Sequence, residues 1–120
     1  MEAYAIELRD LAMGIIAQIE KTLKLKDKEV TELFEGGNQV MRMNYYPSCP
    51  QPEKVIGLTP HSDAVGLTIV LQINDVVGLQ AKKDDDWVPI KPLPNAFVVN
   101  IGDILEVIIN CHYILFDCFS

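Results

Sequence analysis

His61, Ser62 and Asp63, in the run Gly57-Leu58-Thr59-Pro60-His61-Ser62-Asp63, hold the densest chemistry in the sequence. An imidazole and a carboxylate two residues apart can reach one metal ion, because side chains i and i+2 share a face on a strand or at its end. A mononuclear iron(II) site of the facial type takes two imidazoles and one carboxylate and leaves the opposite positions open for a co-substrate and dioxygen. His61 and Asp63 supply two of those three donors. The chain contains 2 histidines, and the other, His112, lies far along the sequence. An isolated H-x-D is also the ordinary composition of a polar surface turn, so the pair alone leaves both readings open.

Length and composition restrict what can surround the pair. The 120 residues make one modest domain or part of one. With 17 acidic and 10 basic side chains and a net charge of -7, the phosphate-neutralising surface needed for nucleic acid is not expected. No apolar stretch reaches the roughly 18 to 20 residues of a membrane span, and Met1-Glu2-Ala3-Tyr4 lacks the basic start of a signal peptide, which predicts a cytosolic protein without membrane partners. The 3 cysteines, Cys49, Cys111 and Cys118, form no C-x-x-C pair and read as reduced thiols.

The elements that must position the metal pair follow from periodicity. Leu8, Leu11, Ala12, Ile15, Ile16, Ile19 and Leu23 recur at three-to-four spacing and predict an amphipathic helix from Ala3 to about Lys24. Asp27 is a candidate cap for a second, shorter helix through Val30, Leu33 and Phe34, which Gly36-Gly37 would stop. Residues 1–37 thus form a helical lead-in, and 38–120 a separate, β-rich region. The period then becomes two. Met41, Met43 and Tyr45 alternate with Arg42, Asn44 and Tyr46 over Val40–Tyr46, predicting a strand with one polar face. Pro47, Pro50 and Pro52 predict a loop before a short strand at 55–58. Further strands are predicted at 67–73, 78–82, 87–90 and 96–101, and Asp103 is expected to cap a short helix through Ile104, Leu105, Val107 and Ile108. Five or six short strands with regular turns predict a sandwich or jelly roll.

Beyond these patterns, an ordered series of segments resembles the plant-type 2-oxoglutarate and iron(II)-dependent dioxygenases. The series runs from Glu7-Leu8-Arg9-Asp10-Leu11-Ala12 through Met43-Asn44-Tyr45-Tyr46-Pro47-Ser48-Cys49-Pro50-Gln51-Pro52 and the metal run 58–67. It continues with Val77-Gly78-Leu79-Gln80, Trp87-Val88-Pro89, Pro94-Asn95-Ala96 and Asn100-Ile101-Gly102-Asp103. The branch most resembled is the senescence-related, norcoclaurine-synthase-like and demethylase-like group. The resemblance implies a mainly β fold with N-terminal helices, a double-stranded β-helix or jelly roll, present here in part. It implies iron(II) held by His61 and Asp63, with Asn44 and Tyr46 in the element whose tyrosine contacts 2-oxoglutarate. It also implies oxidation of a small plant metabolite coupled to decarboxylation of that co-substrate, with ascorbate as an auxiliary reductant.

The resemblance ends near residue 111. Tyr113 is kept, but Ile114 and Leu115 stand where a basic residue and a serine are expected, and Asp117 and Cys118 where a glutamate and the distal histidine are expected. No residues remain for the Arg-x-Ser element whose arginine would pair with the co-substrate carboxylate in a planar fork. His112 falls about six residues too early and reads as a polar residue of a divergent tail, whereas the Cys118 thiolate is a possible substitute ligand. The expectation is an incomplete catalytic domain, truncated at both ends and inactive alone. The alternative is a non-catalytic metal-binding or interaction fragment that associates through an exposed sheet edge.

Overall fold

Apolar residues at helical spacing wind into α1, Glu2–Thr22, and the chain turns back through Lys24, in the left-handed region at φ 54, to form α2, Glu29–Glu35. The computed structural model describes residues 2–25 and 28–117, with side chains as far as 111. Asp27, the expected cap of α2, and Cys118 lie outside the described residues. The residue at the cap position is Lys28, at φ 62 and with no side-chain cap bond. Glu20 of α1 does the capping instead. Its Oε1 accepts from the Val30 backbone N–H at 2.8 Å and its Oε2 from the Thr31 hydroxyl at 2.6 Å, satisfying donors that a helix start leaves open.

Glu20 is 5% exposed. Burial alone would raise its carboxyl, but the hydrogen bonds from the Thr31 hydroxyl and the backbone of Val30, Thr31 and Glu29 outweigh that and hold it below the ordinary value. A carboxyl depressed in the folded state contributes stability that is complete above the unfolded value of 4.5 and is lost as pH falls through the lowered one. Glu20→Gln places an amide where two donors converge and is expected to cost about 1–3 kcal/mol at neutral pH. Urea midpoints at pH 7 and pH 3 check this, since the gap between wild type and variant must narrow in acid. An equal gap at both values refutes the assignment.

Two antiparallel ladders follow. β1, Leu67–Leu71, pairs with β4, Phe97–Ile101. The intervening hairpin joins β2, Gln80–Lys83, to β3, Asp86–Pro89, through a two-residue turn with Asp84 at φ 55, the left-handed conformation such turns demand. The register Leu67↔Ile101, Ile69↔Val99 and Leu71↔Phe97 puts six large apolar side chains on one face of the first ladder. Each ladder has two strands among the described residues, so its outer edges stay open. α3, Asp103–Asp117, leaves β4 directly. It is longer than the short helix expected, and the backbone of His112 lies within it.

The core sits where α1, α2, β1 and α3 meet. Ile16, Val30 and Leu105 are buried there, with Met13, Ile19, Leu25, Phe34, Leu67, Ile108 and Ile109 packed around them. The accessible surface is 10176 Å², against about 6,500 Å² for a compact monomer of this mass. Much apolar surface is therefore uncovered.

The strands expected at Val40–Tyr46 and at 55–58 do not form. Both segments are irregular and exposed, with Val40 at 88% and Tyr45 at 87%. Alternation marks residues that suit a sheet, but a strand also needs a partner edge for its N–H and C=O groups. No described strand pairs with either segment. No helix among the described residues is long and apolar enough to cross a membrane.

Candidate metal centre

His61 and Asp63 lie on irregular backbone between Thr59 and Gly66, not on a regular strand, yet their side chains converge. His61 Nε2 stands 3.4 Å from Asp63 Oδ1. That is long for a hydrogen bond. It matches the roughly 3.0–3.4 Å between two donors that each sit about 2.1 Å from one ion at 90–109°. The other ring nitrogen, Nδ1, is 2.8 Å from the Thr59 carbonyl oxygen. A carbonyl only accepts, so Nδ1 carries a proton, and Nε2 is the ring nitrogen that faces the carboxylate. A cation placed between Nε2 and Oδ1 would be held by both atoms. The side chains of His61 and Asp63 are 49% and 24% exposed, so the pair is open to an incoming ion. The donor chemistry fits two positions of an iron(II) site. Among the described residues no group of three His, Cys, Asp or Glu side chains converges.

The backbone of this loop is held by the start of α3. Gly102 N–H donates to the Gly66 carbonyl at 3.0 Å, Asp103 N–H to the Asp63 carbonyl at 2.9 Å and Ile104 N–H to the Val65 carbonyl at 3.3 Å. The helix thus spends free donors of its first turn on the carbonyls of the loop that carries His61 and Asp63, the proposed metal loop. Asp103 was expected to cap α3. The carbonyl that accepts the first helical bond belongs to Gly102, from Glu106 at 3.0 Å, so Gly102 takes the cap position. The Asp103 carboxylate turns to Ser62, whose hydroxyl donates to Oδ2 at 2.8 Å.

Asn44 and Tyr46 occupy the exposed irregular segment described above. The Tyr46 ring lies against Gly57, where an added Cβ would stand 3.2 Å from Cε1. Tyr46 is thereby next to the segment that leads into His61. Among the described residues no hydrogen bond joins Asn44 or Tyr46 to the metal pair. Sequence reasoning missed Ser62 and the carboxylate role of Asp103. The sole signal was a hydroxyl between two ligand types and an acid directly after the Asn-Ile-Gly turn.

Comparison with known proteins bears on this geometry. The sequence model of the 2OG-Fe(II) oxygenase superfamily matches residues 37–114. Protein SRG1 of Arabidopsis thaliana is 57% identical over 115 residues, covering 94% of this chain and 32% of that protein. Codeine O-demethylase of Papaver somniferum is 54% identical over 114 residues, again 94% of this chain and 32% of the relative. The crystal structure of JOX2 in complex with 2OG, Fe and JA superposes with a TM-score of 0.76 at 42% identity, over 88% of this chain and 32% of that one. The chain spans about a third of the length of the relatives it matches. The family's metal and co-substrate are iron(II) and 2-oxoglutarate. With two ligand-type side chains converging in a loop that lies inside the matched region, the chain belongs to the 2OG-Fe(II) oxygenase superfamily.

Proposed function

We propose that this chain forms the iron-binding part of a cytosolic, 2-oxoglutarate-dependent oxygenase that oxidises a small plant metabolite. Residues 38–120 carry the site behind the helical lead-in 1–37, as an incomplete catalytic domain. His61 and Asp63 are two of the protein ligands, and Asn44 and Tyr46 face the co-substrate. Bound iron and 2-oxoglutarate supply the oxidising chemistry. The chain's own residues orient His61 through Thr59 and hold Asp63 through α3. The observation that carries this reading is the convergence of Nε2 and Oδ1 at 3.4 Å with the opposite ring nitrogen already committed to Thr59.

Relatives named as flavonoid 7-O-demethylase, codeine O-demethylase and thebaine 6-O-demethylase support a methoxy-bearing substrate. The open outer edges of β1 and β4 are the proposed association edges, since unpaired strands take up further strands.

Anaerobic titration of the purified chain with iron(II) and then 2-oxoglutarate tests the site. A saturable visible metal-to-ligand charge-transfer band is expected, and His61→Ala should remove it. A folded wild-type chain with no band, or a variant with an equal one, sinks the reading.

A further inference from the structure

Ser62 sits between the two proposed ligands and does not point at a metal itself. Its hydroxyl donates to Asp103 Oδ2 at 2.8 Å. From the same residue, the Asp103 N–H donates to the Asp63 carbonyl at 2.9 Å. Asp103 therefore grips the metal loop twice, by carboxylate and by amide, at two consecutive residues. Ser62 and Asp103 are separated by 41 positions, so neither contact arises from local chain geometry.

We infer that Ser62 and Asp103 act as one positioning couple for the metal pair, fixing the loop so that His61 Nε2 and Asp63 Oδ1 point at a common ion. This rests on the metal reading of His61 and Asp63 given above. The carboxylate of Asp103 is not a ligand in this scheme. It is engaged by a hydroxyl, and an anion accepting from an O–H forms one of the stronger single links available to a surface loop. Groups that orient metal ligands without touching the metal typically govern 10- to 100-fold in metal affinity. The opposite side of the loop is secured separately, by the Thr59 carbonyl on His61 Nδ1. Losing the Ser62–Asp103 link should therefore misalign the pair without releasing the imidazole tautomer.

The test uses the complete chain with Ser62→Ala, Asp103→Ala, the double variant, Ser62→Thr and His61→Ala, each first checked by far-ultraviolet circular dichroism. Cobalt(II) dissociation constants are measured by calorimetry, and amide hydrogen exchange at Asp103 and Ile104 is measured without metal. Ser62→Ala and Asp103→Ala are each expected to weaken cobalt(II) binding about tenfold and to speed exchange about fivefold. The double variant should lose no more than either single one, because one link has been removed twice. Ser62→Thr, which keeps the hydroxyl, should restore both readouts.

Wild-type affinity in either single variant overturns the couple. So does a double variant weakened about a hundredfold, which would make the two residues independent. If wild type binds cobalt(II) no better than His61→Ala, the metal reading itself fails. The exchange data then decide the link alone: accelerated exchange that threonine rescues supports it, and unchanged exchange overturns it.

Discussion

Gly102→Ala is expected to cost about 3 kcal/mol of stability and to abolish metal binding at His61 and Asp63. A Cβ at this position would stand 2.0 Å from the Val65 carbonyl oxygen, 2.7 Å from its carbon and 2.8 Å from the Asp63 carbonyl oxygen. All three are backbone atoms of the metal loop, so no side chain can swing aside and the loop must move. Movement breaks the junction in which Gly102, Asp103 and Ile104 donate to Gly66, Asp63 and Val65, each bond contributing on the order of 1 kcal/mol. Gly14→Ala is the control. A Cβ there meets nothing within 4 Å, and alanine in a helix interior gains up to about 1 kcal/mol over glycine. Urea denaturation gives both differences, and calorimetry with cobalt(II) follows the site. A Gly102→Ala chain as stable as wild type would show that the close approach is not maintained in solution.

Leu105→Ala is expected to lower stability by about 2–5 kcal/mol and to leave much of the chain unfolded at 37 °C. Leu105 is 0% exposed and one of three buried apolar side chains among the described residues, with Ile16 at 3% and Val30 at 1%. It brings α3 onto the helical hairpin and onto Leu67 of β1. Single domains are stable by roughly 5–15 kcal/mol, and a chain with so small a core belongs at the lower end. Thermal unfolding followed by circular dichroism measures the loss. Leu105→Met, which nearly conserves volume, should cost under about 1.5 kcal/mol. Equal melting temperatures for the alanine variant and wild type would place the folding energy elsewhere.

How far the sequence discloses this structure depends on the range of the interaction concerned. α1 was readable because the stripe from Leu8 to Leu23 is a local period, and β1 and β4 because apolar runs are bounded by turns. The convergence of His61 and Asp63 was readable from two residue types at a spacing of two. The predicted strand at Val40–Tyr46 was not realised, since its alternation says nothing about whether an edge exists to receive it. The cap of α2 escaped notice because Glu20 lies 10 positions before Val30. Inside an amphipathic helix, a glutamate reads as a solvated side chain. Asp103 was expected to cap α3, but Gly102 takes that position, and the Asp103 carboxylate answers to Ser62, a partner that only the folded chain brings near.

An ion held at His61 and Asp63 would be joined to chain closure through the junction between their loop and α3. Bringing together residues 41 apart costs about 3 kcal/mol in loop entropy before any bond is made. An ion held only by the closed arrangement would add about 2.7 kcal/mol at a hundred times its dissociation constant. The two quantities nearly match. An occupied site would therefore offset most of the closure cost and help hold the loop against α3.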